Sequence, residues 1–228
     1  MAKATKKAPG GGLRIPPVET VQLPPLGLEG LLTLPEGASG LVLFAHGSGS
    51  SRLSPRNTYV ARALQAAGLG TLLFDLLSET EADDRRRVFD IPLLAERLLA
   101  AAQWAERRTR SAHLPIGFFG ASTGAAAALV AAARTPLPIA AVVSRGGRPD
   151  LAGASLPDVR APTLLIVGGD DIDVLALNRA ALAELTCEKA LEVVPGASHL
   201  FEEPGTLDRV IDLARSWFTR HLIRPDTA

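Results

Sequence analysis

A serine stands between two glycines at residues 120–124, where the apolar run IGFF gives way to the alanine-rich segment AAAALVAAA. The apolar run is typical of a buried strand, and the alanine-rich segment favours a helix. A serine at so sharp a strand-to-helix turn needs small neighbours, and the turn exposes its hydroxyl above the sheet edge. Ser122 is therefore predicted to be a nucleophile; the alternative is a glycine-rich turn in which the serine caps the helix.

A serine hydroxyl becomes nucleophilic at neutral pH when a base lies beside it, and the sequence has four histidines. His199, in the segment VPGASHLFEEPG, is the only histidine that follows the serine and lies in a loop after a predicted strand. His46 ends a predicted strand and is interpreted as a residue that fixes its loop. His113 and His221 are expected to be structural. The sequence therefore predicts His199 as the general base.

An acid that orients the base should lie between serine and histidine, in the chain order that serine nucleophiles on such turns use. The segment LLIVGGDDIDV supplies Asp170, Asp171 and Asp173 directly after another predicted strand. Spacing alone leaves all three open, because aspartates at strand–helix junctions also cap helices.

The oxyanion formed by serine attack needs two backbone N–H donors. One is expected from Thr123, directly after the nucleophile. The other is expected from the segment FAHGSGSS, where glycines allow the backbone to approach closely; Ser48 is the first candidate and Gly49 the second.

Arginines also lie near the predicted strand ends: Arg52, Arg56, Arg145 and Arg148. Guanidinium groups recognise carboxylates well. Arg145 lies nearest to a strand end and is the candidate for binding a substrate carboxylate. The alternative for all four is solvated surface charge.

The elements that would position these residues alternate along the chain. Apolar strands alternating with amphipathic helices predict a three-layer α/β/α sandwich with a mostly parallel sheet of about eight strands, whose carboxyl ends carry the reactive groups. The arginine-rich segment 81–87 is predicted to be a solvated loop. Residues 1–13 are predicted to be a disordered tail, and residues 14–224 a single domain. The predicted strands after two opening strands are 39–47, 69–77, LPIGFFG, PIAAVVSRGG, 161–169 and 190–195, and the predicted helices are 54–68, 90–108, 122–134, 174–185 and roughly 205–221.

Composition narrows the function classes. The chain of 228 residues has no formal net charge and only 4% aromatic residues, which gives no case for nucleic acid or a membrane surface as partner. Its one cysteine, Cys187, excludes an intrachain disulfide, and the basic N-terminus lacks the apolar core of a signal peptide, so a cytoplasmic location is expected. Histidines and cysteines are few and not at ligand spacing, so neither a metal nor a cofactor is expected. The oligomeric state is left open.

Taken together, these segments resemble the α/β-hydrolase superfamily, and within it the dienelactone-hydrolase-like branch of small lidless enzymes, over about residues 18–221. The resemblance rests on FAHGSGSS, GFFGASTGAAAAL, PTLLIVGGDDIDVL and GASHLFEEPG. It implies the α/β-hydrolase fold without a lid domain. Such proteins have a Gly-x-x-Asp-x-x-Val pattern that Gly168, Asp171 and Val174 match, which favours Asp171 as the acid.

The resemblance implies an activity with one departure. Dienelactone hydrolase itself has a cysteine nucleophile, whereas serine stands at that position here, which favours a serine hydrolase that cleaves small carboxylic esters, lactones or thioesters through an acyl-enzyme. The alternatives are an acyltransferase or peptidase with the same residues, and a non-catalytic binding protein. Relatives of this branch also occur joined to phosphoribosyltransferase domains, but this sequence has no nucleotide-binding fingerprint. Stretches 78–89 and 145–160 are too polar or too broken to form a lid, so small acyl groups and a small-molecule ester substrate are expected.

Overall fold

A computed structural model describes residues 17–110 and 112–223 of the chain. The predicted tail 1–13 lies outside these ranges, as do residues 14–16, 111 and 224 of the predicted domain. Eight strands form one sheet: β1 Glu19–Leu23, β2 Leu28–Thr33, β3 Leu41–Ala45, β4 Gly70–Phe74, β5 Ile116–Ala121, β6 Ile139–Arg145, β7 Thr163–Gly168 and β8 Lys189–Val194.

Helices connect the strands. They are α1 Pro55–Ala66, α2 Glu79–Ala82, α3 Arg85–Val88, α4 Ile91–Arg108, α5 Thr123–Arg134, α6 Ile172–Glu184 and α7 Thr206–Leu222, with a 3-10 segment at Pro149–Asp158. Local sequence determines where the long helices begin. Helix α1 starts at a proline after Ser54, whose hydroxyl accepts the Asn57 N–H, and α4 follows Asp90, which caps it in the same way.

The strands lie in the order β1-β2-β4-β3-β5-β6-β7-β8. Strand β2 pairs antiparallel with both β1 and β4, and the other pairs are parallel. The carboxyl ends of β3 to β8 therefore meet at one edge of the sheet, where a doubly wound sheet places its reactive groups. This arrangement is the mostly parallel α/β sheet that the sequence predicts.

Successive strand residues pack into two separate cores, one on each face of the sheet. Leu43 and Phe118 lie in the core that includes α4 and α5, whereas Phe44 and Phe119 lie in the core that includes α1 and α7. The rings of Phe44 and Phe119 are 4.9 Å apart between centroids. Because helices cover both faces, the central strands are buried on both sides. This burial explains why their segments of the sequence are continuous apolar runs.

The arginine-rich segment predicted to be a solvated loop forms the short helices α2 and α3 instead. Ser78 and Glu81 form a capping box at the start of α2, and Asp84 caps α3. Glu81 also pairs with Arg87 and Arg97. Caps and charge pairs thus give this polar stretch a fixed shape. No helix in the described ranges is long and apolar enough to cross a membrane.

Candidate active site

Ser122 occupies a strained turn between β5 and α5. Its φ of 51° and ψ of −123° lie in a region of backbone conformation where residues other than glycine are rarely found. The Ser122 N–H donates to the Arg145 carbonyl at 3.3 Å, and the Ser122 carbonyl accepts the N–H groups of Ala125 and Arg148, each at 3.1 Å. These hydrogen bonds hold the turn in its unfavourable conformation and fix the serine at the carboxyl edge of the sheet.

The two glycines of the Gly-x-Ser-x-Gly segment are required by close backbone packing. A Cβ on Gly120 would lie 2.4 Å from the Ala125 Cα, and a Cβ on Gly124 would lie 2.2 Å from the Ala45 carbonyl oxygen. Both positions therefore exclude any side chain. The spacing that identified Ser122 in the sequence follows from this geometry.

Asp171 and His199 form a hydrogen-bonded pair at the ends of β7 and β8. His199 Nδ1 lies 2.7 Å from Asp171 Oδ2, so the ring donates its Nδ1–H to the carboxylate. Asp171 is the N-cap residue before α6, yet its side chain accepts no helix N–H, and the carboxylate is left to face the ring. Asp170 and Asp173 are exposed. Of the three aspartates that the sequence left open, the structure places Asp171 against His199.

The loop that carries His199 is held by Glu203, which the sequence analysis did not single out. A Glu203 carboxylate oxygen accepts the Ser198 N–H at 3.1 Å, and this hydrogen bond keeps the pKa of Glu203 below its ordinary value. Phe201, at a φ of 56°, places its ring in the core beneath the loop. The acidic pair that follows the histidine in HLFEE was the signal available in the sequence.

The backbone after β6 contacts both His199 and Ser122. A Cβ on Gly146 would lie 2.9 Å from the His199 carbonyl oxygen and 3.8 Å from the His199 ring. The preceding carbonyl, of Arg145, is the acceptor for the Ser122 N–H. Within the described residues the hydrogen bond of His199 runs to Asp171 and not to the serine hydroxyl. Catalytic hydrogen bonds are often long in free enzymes and shorten once substrate binds.

The two residues predicted to supply oxyanion donors are in contact. The Ser48 N–H donates to the Thr123 hydroxyl at 3.1 Å. A Cβ on Gly47 would lie 2.9 Å from the Ser122 Cβ, so the loop after β3 packs directly on the serine. Thr123 is the first residue of α5, where backbone N–H groups lack a partner within the helix. Both amides thus lie beside Ser122.

His46 ties the loop after β3 to the end of β4. Its Nε2 accepts the Leu76 N–H at 3.1 Å, and its Nδ1–H donates to the Gly47 carbonyl at 3.0 Å. Burial lowers the pKa of His46 below 6.5, although the Gly47 hydrogen bond and the nearby Asp75 oppose the shift. Neutral His46 therefore fixes the position of the loop after β3, the role predicted from the sequence.

These contacts predict that the free energy of unfolding falls as the pH drops below about 6.5. The folded state holds His46 neutral, so the unfolded chain binds the extra proton, and stability present above 6.5 is lost towards acidic pH. Burial lowers the pKa of His221 in the same direction. Urea unfolding from pH 5 to 8 should show the loss, and His46→Gln, which cannot titrate, should flatten part of it. His113→Asn, on an exposed turn, is the control. A pH dependence identical in wild type and His46→Gln would contradict the assignment.

Arg145, the candidate for carboxylate binding, is buried. Only 7% of the residue is exposed, and one guanidinium nitrogen donates to the Asn57 side-chain oxygen at 3.4 Å. Burial, with a smaller contribution from the neighbouring Arg56, lowers the pKa of Arg145 to about 10. The side chain packs against α1 because this position of β6 faces the α1–α7 core. Its burial gives no support to direct contact with substrate.

The other three arginines each pair with a carboxylate. Arg56 lies 2.9 Å from Glu202, and Arg148 lies 2.7 Å from Asp150. Arg52 donates to Asp75 and Glu29 together, and its backbone N–H donates to Asp75 at 2.7 Å. Asp75 was not among the predicted site residues, although it directly follows β4 at the edge where reactive groups were expected.

Known proteins with similar sequences and folds show the family of this chain. A dienelactone hydrolase from Anabaena variabilis is 55% identical, with a TM-score of 0.86 over 92% of this chain and 99% of that one. Est1E from Butyrivibrio proteoclasticus (16% identical, TM-score 0.74, 91% and 99% covered) and an alpha-beta serine hydrolase homologue from Coxiella burnetii (23% identical, TM-score 0.73, 88% and 96% covered) share the fold.

Curated relatives carry a different name. Two proteins from Mycobacterium tuberculosis strains, each named "Putative phosphoribosyl transferase", are 59% identical over 201 residues, which is 88% of this chain. The chain spans 45% of the length of each of these relatives. No family model matches the chain. The near-complete match to the Anabaena enzyme, the eight-stranded α/β sheet and the Gly-x-Ser-x-Gly turn lead to one assignment: the chain belongs to the dienelactone-hydrolase-like branch of the α/β-hydrolase superfamily.

Proposed function

We propose that this chain is a serine carboxylic ester hydrolase that acts through Ser122, His199 and Asp171. The observation that carries the proposal is the Asp171–His199 pair beside a serine held in a strained strand-to-helix turn. A turn of this kind costs folding free energy, and strained backbone of this kind clusters at functional sites. The hydrolases among the structural neighbours support the same class of chemistry.

In the proposed mechanism, the Ser122 hydroxyl attacks the ester carbonyl while His199 Nε2 takes its proton. Asp171 accepts the Nδ1–H, which holds the ring in the tautomer that leaves Nε2 free as a base, and stabilises the imidazolium that forms. His199 then protonates the leaving alcohol, and the acyl group stays on Ser122. Water, activated by the same histidine, hydrolyses the acyl-enzyme and restores the serine.

The developing oxyanion would be stabilised by the backbone N–H groups of Thr123 and Ser48. The Thr123 amide has no acceptor within α5. The Ser48 amide donates to the Thr123 hydroxyl in the free protein and would turn from it to the oxyanion during the reaction. Because His46 fixes this loop through its hydrogen bond with Leu76, the Ser48 amide would move only a short way.

The alternative functions are acyl transfer, peptide cleavage and binding without catalysis. Acyl transfer or peptide cleavage would use the same three residues and would differ only in the acceptor or the leaving group, which acceptor-competition assays separate. A binding protein would need no strained serine beside an Asp–His pair. The name phosphoribosyl transferase belongs to relatives of which this chain spans only 45% of the length.

A fluorophosphonate probe tests the proposal directly, because it phosphonylates a serine only where a base and an oxyanion site activate the hydroxyl. We expect stoichiometric labelling of the native protein, mapped by mass spectrometry to Ser122, and loss of labelling after unfolding in urea. Labelled protein should also lose all activity towards p-nitrophenyl acetate. Labelling at another serine, or none, would contradict the assignment.

A further inference from the structure

A cavity of about 540 Å³ opens beside the two proposed oxyanion donors. Ser48 and Thr123 form part of its wall, together with the loops after β3 and β4, the turn between β1 and β2, and residues of α2, α3 and α4. Its volume lies in the range of roughly 300–1,000 Å³ that small-molecule sites occupy. The cavity is thus large enough for one side of an ester.

The sheet order determines which side of the ester enters this cavity. Asp171 and His199 follow β7 and β8, on one side of the serine strand β5, whereas the cavity lies on the other side, at β2, β4 and β3. His199 must protonate the leaving oxygen, so the leaving group lies on the histidine side. The acyl group then extends in the opposite direction, into the cavity.

We propose that this cavity is an acyl pocket that accepts apolar acyl groups, uncharged or cationic at their far end, and rejects those that carry a carboxylate. This inference rests on the proposed ester hydrolysis at Ser122. Five leucines line the cavity: Leu28, Leu76, Leu77 and Leu94, which are buried, and Leu26, which is exposed. Val88 of α3 adds a further apolar side chain to the lining. Each methylene placed against such a surface strengthens binding.

The charges around the cavity determine the proposed rejection of acyl groups that carry a carboxylate. The lining includes three carboxylates, from Glu29, Asp75 and Glu79, and one guanidinium, from Arg52. That guanidinium donates to Asp75 and Glu29 together, so its single positive charge is already offset by two carboxylates. No other cation lines the cavity within the described residues. A substrate carboxylate would therefore meet uncompensated negative charge.

Helices α2 and α3 give the pocket its outer wall. The sequence predicted that this polar stretch could not form a lid over a long acyl chain, because it has few apolar residues. The structure places Ala82 and Val88 on the cavity side, while the arginines of α3 are exposed. Two apolar residues on short capped helices are enough for a wall, so acyl groups of intermediate length can be bound without a lid domain.

Three p-nitrophenyl esters test the charge selectivity: those of hexanoic acid, adipic acid (with a free ω-carboxylate) and trimethylammoniohexanoic acid. At low ionic strength we expect kcat/KM for the adipate monoester to be roughly tenfold below that of the other two. Glu79→Gln should narrow this difference about two- to threefold, whereas Glu184→Gln, an exposed charge change on α6 far from the cavity, should leave it unchanged. Equal turnover of all three esters, or a Glu79→Gln protein with unaltered selectivity, would overturn the proposal.

A cavity-filling substitution tests the apolar wall. Val88→Trp should lower the ratio of kcat/KM for hexanoate over acetate at least about fivefold, because the indole occupies space that the longer chain needs. Val18→Trp changes an exposed valine just before β1, at the edge of the sheet opposite to the one where the cavity lies. This variant should keep the wild-type ratio. An unchanged ratio in folded Val88→Trp would overturn the acyl pocket. Absence of any Ser122-dependent hydrolysis of the acetate ester would instead contradict the proposed function itself.

Discussion

Ser122→Ala should lower kcat/KM for p-nitrophenyl acetate by about 10⁴- to 10⁶-fold while the protein remains folded. Alanine keeps the Cβ and the backbone of the turn but removes the only atom proposed to attack the substrate. The remaining activity would come from the binding pocket and the oxyanion donors acting on water. Initial rates at high enzyme concentration, together with unfolding curves of both proteins, measure the loss and show that it is not a folding defect.

Ser216→Ala is the matched control, since Ser216 is exposed on α7 and takes no part in the proposed site. Its rate should stay within about twofold of wild type. A Ser122→Ala protein that retains a tenth of the wild-type rate would remove the serine from the mechanism. In that case the hydrolysis would have to come from another nucleophile or from a contaminating enzyme, which a second purification of the variant would distinguish.

The Gly-x-Ser-x-Gly turn could be predicted from sequence because its constraints are local. Gly120 and Gly124 are there because backbone atoms lie within van der Waals distance of where a Cβ would be, and such a constraint leaves a fixed spacing in the sequence. The mostly parallel sheet could be predicted for a similar reason. A sheet covered on both faces needs apolar strands alternating with amphipathic helices, and that alternation is visible along the whole chain.

Other features depend on contacts between distant segments, which spacing does not encode. Asp170, Asp171 and Asp173 are equivalent in type, and only the direction in which the chain leaves β7 brings one of them to His199. Arg145 lies at a strand end, as active-site residues do, yet the pleat of β6 turns its side chain towards α1. The walls of the acyl cavity come from several separated segments, so their apolar residues show no pattern in the sequence.

The choice among the three aspartates gives the second large effect that we expect. Asp171→Asn should lower kcat/KM by about 10⁴-fold, because an amide at this position can donate to Nδ1 and so favour the wrong tautomer of His199. Asp170→Asn and Asp173→Asn should stay within about threefold of wild type, since both side chains are exposed and neither contacts the histidine. All three variants make the same change of charge within four residues, so any general electrostatic effect is common to them.

The pH dependence of the Asp171→Asn protein separates orientation from simple loss of charge. A wrongly oriented imidazole offers an N–H to Ser122 at every pH at which it is neutral, so raising the pH to about 9 should restore little activity through this histidine. Steady-state rates from pH 6 to 9 for the three asparagine variants, each checked for folding, measure this. Recovery of Asp171→Asn to within tenfold of wild type at high pH would mean that the carboxylate merely tunes the basicity of His199. A larger loss in Asp170→Asn than in Asp171→Asn would transfer the role of the acid to the neighbouring residue, and would require the loop after β7 to rearrange when substrate binds.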